Sequence, residues 1–340
     1  MTRKAVRGIL AAIGDTPLVE LESVYRNLDF RLFAKLERFN PGGSVKDRSA
    51  LTMLQAKVLD GELQPGRSVV VESSSGNLAI GIAQICRYYG IDFVCVVDAK
   101  TTEQNLAILR AFQAKVEVVT EPDPETGEFL PQRLRRVREL LATIPHSYNP
   151  NQYANPLNPQ AHENTMREIV EALDGRVDYL FCATSTFGTM RGCAQYARRQ
   201  GLSTVLVAVD AVGSVLFAES GAKRLIPGHG ASLRPALLDR SLVDEVVHVT
   251  DLDCVVACRR LTIREGFLAG GSSGATLAAL DKLRDRVPAG ANCVLIFPDS
   301  GERYLDTIYS DEWVAGHFGD VSEAWQDSAR VPADRGVSRC

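Results

Sequence analysis

Residues 40–50, NPGGSVKDRSA, set one lysine, Lys46, between a glycine turn and the start of a helical pattern. A phosphate-binding P-loop needs a Gly-Lys-Ser/Thr run, whereas Lys46 stands between Val45 and Asp47, so that use is excluded. Ser44 and Asp47 have the spacing of an N-cap and its N3 partner, and Leu51, Leu54 and Val58 continue with helical periodicity. Lys46 then falls in the first turn, where the helix dipole disfavours an ammonium and so favours a neutral amine. Such an amine suits covalent chemistry on carbonyl compounds, although the same lysine reads equally as a solvated surface residue.

Four more loops carry small or polar residues where a strand gives way to a helix. SSSGN follows SVVVE with Ser74, Ser75, Gly76 and Asn77, and TSTFGT follows VDYLFCA with Ser185, Thr186, Phe187, Gly188 and Thr189. GGSSG holds Gly270, Gly271, Ser272 and Ser273, and PDSGERY holds Asp299 and Ser300. A helix N-terminus opened by small residues offers backbone N–H groups to a phosphate or carboxylate. Each loop alone is also an ordinary turn. In open α/β sheets, however, ligands bind beyond the carboxyl ends of the strands, and all four loops leave such ends. An amine, two anion cradles and further hydroxyls then converge.

The elements that must position them alternate. RLFAKLE, SVVVE, DFVCVV and KVEVV read as strands, interleaved with helical patterns over 47–60, 77–89 and 103–113. A second series, VDYLFCA, STVLVAVD, VVHVT and NCVLIF, alternates with helices over 189–200, 252–265 and 274–285. Apolar strands separated by helices imply largely parallel sheets covered on both faces, and two series imply two α/β domains. The expected division is 1–152, 153–319 and a mobile tail over 320–340. The Pro- and Asn-rich stretch 145–160 is expected to be irregular.

With 38 Lys and Arg against 42 Asp and Glu, the net charge of −4 gives no basis for nucleic-acid or anionic-membrane binding. No apolar run approaches a membrane span, and MTRKAVRGIL lacks a signal-peptide core, so a cytoplasmic location is expected. The eight cysteines form no CxxC pair and read as buried thiols; no metal site is expected.

Taken together, from IGDTPLVEL at Ile13 to PDSGERYLDT ending at Thr307, the chain resembles the fold-type II pyridoxal-phosphate enzymes of the cysteine synthase and cystathionine β-synthase group. The resemblance implies two α/β domains of the tryptophan synthase β type, a homodimer, and an early segment that crosses to the second domain. It implies that Lys46 forms the Schiff base with pyridoxal 5'-phosphate and that Asn77 bonds the ring hydroxyl. Residues 185–189 (Ser185, Thr186, Phe187, Gly188 and Thr189) would hold the cofactor phosphate, and Ser272 would face the pyridine nitrogen. Ser74, Ser75 and Gly76 would grip the substrate carboxylate.

Departures from the cysteine synthase pattern cluster in these loops: Leu78 after the asparagine, Ser185 and Phe187 in the phosphate loop, Tyr153 after Gln152, and GHGASLRP over 228–235. This pattern resembles the branch that makes N-(2-amino-2-carboxyethyl)-L-glutamate from O-phospho-L-serine and L-glutamate, a precursor of the 2,3-diaminopropionate of siderophores and peptide antibiotics. Gln152, Tyr153 and Arg234 are then expected at the substrate, with Arg234 as the partner of a glutamate carboxylate or else a surface residue. The RLRRVR run over 133–138 is expected to be a solvated helix face. Cysteine or cystathionine synthesis, and cofactor binding without turnover, are the alternatives.

Overall fold

The computed structural model describes residues 5–125 and 127–326. Its strands are β1 (Leu18–Glu20), β2 (Arg31–Leu36), β3 (Val69–Ser73), β4 (Asp92–Asp98), β5 (Lys115–Val119), β6 (Ser147–Tyr148), β7 (Tyr179–Ala183), β8 (Val205–Ala211), β9 (Glu245–Val249) and β10 (Asn292–Phe297). They form a six-stranded sheet in the order β1-β2-β10-β7-β8-β9 and a four-stranded sheet in the order β5-β4-β3-β6. Only the β1–β2 pair is antiparallel, so the sheets are largely parallel, as the apolar strands require.

The helices are α1 (Lys46–Leu59), α2 (Asn77–Tyr89), α3 (Glu103–Ala111), α4 (Phe129–Thr143), α5 (Leu157–Ala172), α6 (Gly188–Arg199), α7 (Asp251–Glu265), α8 (Gly271–Leu283), α9 (Asp311–Phe318) and the short α10 (Glu323–Gln326). Strand β10 is buried at every position because its two faces meet different helices. Leu295 and Phe297 join the core with Cys254, Leu261 and Leu277 of α7 and α8, while Val294 and Ile296 join Met166, Ile169, Met190 and Cys193 of α5 and α6. The smaller sheet is covered likewise. Val70, Phe93 and Cys95 pack on α1 and α2, and Val71, Val94 and Val96 face Val137 and Leu140 of α4.

Three expectations change. RLFAKLE, read as the head of the first series, pairs instead with β10 of the second, Arg31 opposite Asn292 through Leu36 opposite Phe297. Four of its six positions are buried, so it needs a covered central place, and Lys35 is accommodated there by an ion pair to Glu168 (2.7 Å) and a hydrogen bond to Thr16 O (2.7 Å). The stretch 145–160 is not wholly irregular: it contains β6 and the start of α5, whose Pro159 sits in the first turn, where a missing N–H costs nothing. Within the expected tail, Trp325 is buried and lies under the Arg259 guanidinium (4.9 Å); residues 327–340 lie outside the described residues.

Seven cysteines are free and buried, and Cys340 lies outside the described residues. Among the described residues no His, Cys, Asp and Glu group is arranged to hold a metal, and no helix is long and apolar enough to cross a membrane.

Candidate active site

Lys46 opens α1, but not through the cap read from sequence. Val45 precedes the helix with helical dihedrals, Ser44 Oγ accepts only the Lys46 N–H (3.2 Å), and no side chain caps this end. Asp47 turns back instead, its carboxylate accepting from the Gly42 N–H and closing the glycine turn. A Cβ on Gly42 would stand 2.5 Å from Asp47 Oδ1, so a larger residue there would push the carboxylate out of this bond. Burial raises the Asp47 carboxyl to about 7.

The Lys46 side chain makes no hydrogen bond or ion pair to another described residue through its ammonium. Burial pushes its pKa down, against smaller raising effects of Cys182 and Asp299. The direction agrees with the sequence argument, but the leading cause is desolvation rather than the helix dipole.

One cleft is lined by Lys46 together with Ser185, Thr186, Phe187, Gly188 and Thr189. These residues lead from β7 into α6, whose N-terminus is uncapped apart from a long Gly188 N–H contact to Thr186 Oγ1 (3.4 Å). Phe187 adopts φ 68°, the left-handed region usual for glycine, and buries its ring against Phe217 (centroids 6.3 Å apart). A Cβ on Gly188 would stand 2.3 Å from Asn158 Oδ1, so α5 and α6 approach closely at this loop. Gly228 lines the same cleft and backs onto Ser272, whose Oγ is 3.4 Å from the place of a Gly228 Cβ.

His162 of α5 ties these parts together. Its Nε2 meets Ser49 Oγ of α1 (3.0 Å) and Thr189 Oγ1 of α6 (3.4 Å), and its Nδ1 meets Thr165 Oγ1 (3.3 Å). Burial, with Lys46 and Arg48 nearby, holds its pKa well below the usual imidazole range, so it is a neutral hydrogen-bonding hub.

Asn77 starts α2 and reaches Asp299: its Nδ2 donates to Asp299 Oδ2 (2.7 Å), and Arg303 Nη1 donates to its Oδ1. In the same loop Ser74 Oγ accepts from Ala79 N–H (3.3 Å) and Gly76 N–H (3.4 Å). Gln152 is buried, and its carbonyl accepts from Asn158 Nδ2 (2.7 Å).

Ser185 also borders a second cleft, of about 220 Å³, whose walls include Lys100, Arg133, Tyr153 and Arg224 along with Asp98 and Glu128. Here two sequence expectations are corrected. Arg133 does not belong to a solvated face: its side chain is 12 % exposed, pairs with Asp98 (3.3 Å) and donates to Ser75 Oγ (3.2 Å), while its Nε is buried without a partner. Arg136 and Arg135, from the same run, pair outward with Glu117 and Asp123. Arg234 is exposed and does not line the cleft, because its Nε and Nη2 donate to Val215 O and Ala218 O (both 2.8 Å). An arginine run signals solvation, and only the helical phase distinguishes Arg133 as its inward member.

For the aldehyde-bearing phosphate cofactor implied by the resemblance, the donor set fits. An amine without a partner among the described residues and an uncapped twelve-residue helix N-terminus line one cleft, Gly228 of that cleft backs onto Ser272, and Asn77 bonds Asp299, whose charge acts on Lys46. Comparison with known proteins agrees. Residues 9–299 match the family described as pyridoxal-phosphate dependent enzyme. The chain is 45% identical over 332 residues to an N-(2-amino-2-carboxyethyl)-L-glutamate synthase of Ralstonia nicotianae, covering 96% of this chain and 98% of that one. It is 45% identical over 311 residues to the protein of the same name from Cupriavidus metallidurans, covering 90% and 91%. A hydrogen sulfide-producing enzyme of Fusobacterium nucleatum superposes with a TM-score of 0.82 at 31% identity, over 88% of this chain and 100% of that one. The chain belongs to the family of pyridoxal-phosphate-dependent enzymes.

Proposed function

We propose that this protein joins O-phospho-L-serine and L-glutamate by β-replacement, giving N-(2-amino-2-carboxyethyl)-L-glutamate and phosphate. In this reading it works as a cytoplasmic homodimer and supplies 2,3-diaminopropionate for a siderophore or peptide natural product. The observation that carries it is the second cleft, whose walls beside Ser185 hold three cations, Lys100, Arg133 and Arg224, against two carboxylates, Asp98 and Glu128, in a chain of net charge −4. Glutamate brings two carboxylates and phosphoserine a phosphate, so charge-assisted donors are needed there. Sulfide needs none. The relatives named for the same product support the choice.

Pyridoxal phosphate, when bound, supplies an electron-withdrawing ring that stabilises negative charge at Cα. Lys46 would hold it, the uncapped helix start over Thr186, Gly188 and Thr189 would take its phosphate, and the neutral Ser272 hydroxyl would serve its ring nitrogen. The loop of Ser74, Ser75 and Gly76 binds the carboxylate of phosphoserine and orients its Cα–H bond. The Lys46 amine, its pKa lowered by burial, would take the Cα proton. The Cβ–O bond breaks and phosphate leaves; the glutamate amine then forms the Cβ–N bond and loses a proton, and Lys46 returns a proton to Cα. Arg133 and Tyr153 hold the glutamate carboxylates and, with the cleft closed, exclude water.

The test offers phosphoserine and acetylserine in turn with glutamate, sulfide or homocysteine and identifies products by mass. A glutamate adduct formed faster from phosphoserine than any thioether or thiol supports the reading. Efficient cysteine formation without a glutamate adduct replaces it with a sulfhydrylase.

A further inference from the structure

Asn77 is held at both ends of its amide. An arginine only donates, so the atom that Arg303 Nη1 meets must be the amide carbonyl oxygen, Oδ1. Nδ2 in turn gives one of its two N–H groups to Asp299 Oδ2 (2.7 Å). One N–H is left.

The clamp is itself fixed. Asp299 is 2% exposed and also accepts from Tyr304 OH (2.7 Å), and Arg303 Nη2 donates to Gly42 O (2.7 Å) in the turn that precedes Lys46. The same segment meets that turn through its main chain, where the Val45 N–H donates to Pro298 O (2.8 Å) and Ser44 bridges to Asp299. Gly270 leaves room for the carboxylate, since a Cβ there would stand 1.8 Å from Asp299 Oδ1. The segment that follows β10 therefore registers Asn77 against Lys46.

We propose that Asp299 and Arg303 are positioning residues that lock the Asn77 amide in one orientation, so that its remaining N–H, and never its carbonyl, faces the anionic oxygen of the cofactor ring. A loosened amide can turn its carbonyl oxygen to that anion, which exchanges an attraction for a repulsion. The proposal rests on the reading of Asn77 as the partner of the ring oxygen, and the experiment separates the two.

In the holoenzyme, the ring-oxyanion form absorbs at longer wavelength than the neutral-hydroxyl form, and the ratio of the two bands reports the donor. Asn77→Ala is expected to shift the ratio towards the neutral form by roughly tenfold, the lower end for a hydrogen bond to a charged group. Asp299→Ala and Arg303→Met are expected to shift it the same way by less, and to add nothing in the Asn77→Ala background. Arg303→Lys, which keeps a donor, should recover most of the loss seen in Arg303→Met. If Asp299→Ala fails to bind cofactor, the Arg303→Met and Arg303→Lys pair decides alone. A shift in Asn77→Ala with none in the other variants overturns the lock and leaves Asn77 its role. Equal shifts with and without Asn77 also overturn it, since the charges then act directly. No shift in Asn77→Ala overturns both readings.

Discussion

Replacing Arg133 by methionine keeps most of the aliphatic stem and removes the guanidinium from the second cleft. Its buried, unpartnered Nε and its place beside Tyr153 and Ser185 make it the arginine suited to a glutamate carboxylate. A hydrogen bond to a charged group is worth about 1.5–3 kcal/mol, so Arg133→Met is expected to raise the glutamate KM by roughly ten- to hundredfold. Folding also loses something. Asp98, 10% exposed, loses its ion-pair partner but keeps the Lys100 N–H (3.0 Å), which sets the cost nearer 1–3 kcal/mol than the 3–5 kcal/mol or so of a buried charge left bare. The assay measures phosphate release from phosphoserine alone in a single turnover, then the glutamate dependence of product formation. The first half is expected to stay within about threefold of wild type, since the proposed mechanism places the Cα and Cβ chemistry at Lys46 and the loops around it. Arg234→Ala serves as the comparison and should leave the glutamate KM unchanged, because that guanidinium is already engaged by Val215 O and Ala218 O. An unchanged glutamate KM in Arg133→Met, or an equal loss in both halves, refutes the assignment.

What the sequence made legible was whatever is local. The helix starting at Asn77 and that ending at Glu265 follow from strand-loop-helix alternation within about twenty residues, and the structure has both ends there. The loops before Lys46 and Gly188 were readable for the same reason, since a glycine or small-residue loop at a helix start is a short-range signal. Partners distant in the chain were not readable. Strand β2 has the same apolar character as any neighbour, and only pairing with residues 292–297 assigns it to the six-stranded sheet. Asp47 had the spacing of a capping partner, but the Gly42 N–H two residues before Ser44 competes for the same carboxylate and wins by closing a tight turn. The directions of Arg133 and Arg234 were not readable either, because charge type carries no direction. In α4 the phase turns Arg133 towards Asp98 and Ser75, and in the loop over 228–235 the carbonyls of Val215 and Ala218 take up Arg234.

Three further outcomes can be measured. Lys46→Ala is expected to lose both the visible absorbance of covalently held cofactor and turnover; a variant that keeps turnover removes the mechanism. Glu72 is buried with its carboxyl raised to about 7, so the folded state holds its proton longer than the unfolded chain does, and stability is lost as pH rises from about 4.5 through 7. Glu72→Gln cannot ionise, and its advantage over wild type should grow through that window to on the order of 3 kcal/mol and then level, as read by urea unfolding at pH 5 and pH 8.5; an advantage that is flat with pH rejects the raised carboxyl. Phe187→Gly sets strain against packing. Glycine relieves a left-handed residue of about 1–2 kcal/mol, whereas the lost ring, 1% exposed and packed on Phe217, costs about 3–5 kcal/mol. The lost packing outweighs the relieved strain, so the variant should be less stable by roughly 1–4 kcal/mol in urea, and a variant more stable than wild type would mean that the backbone at this loop carries more strain than its φ of 68° implies.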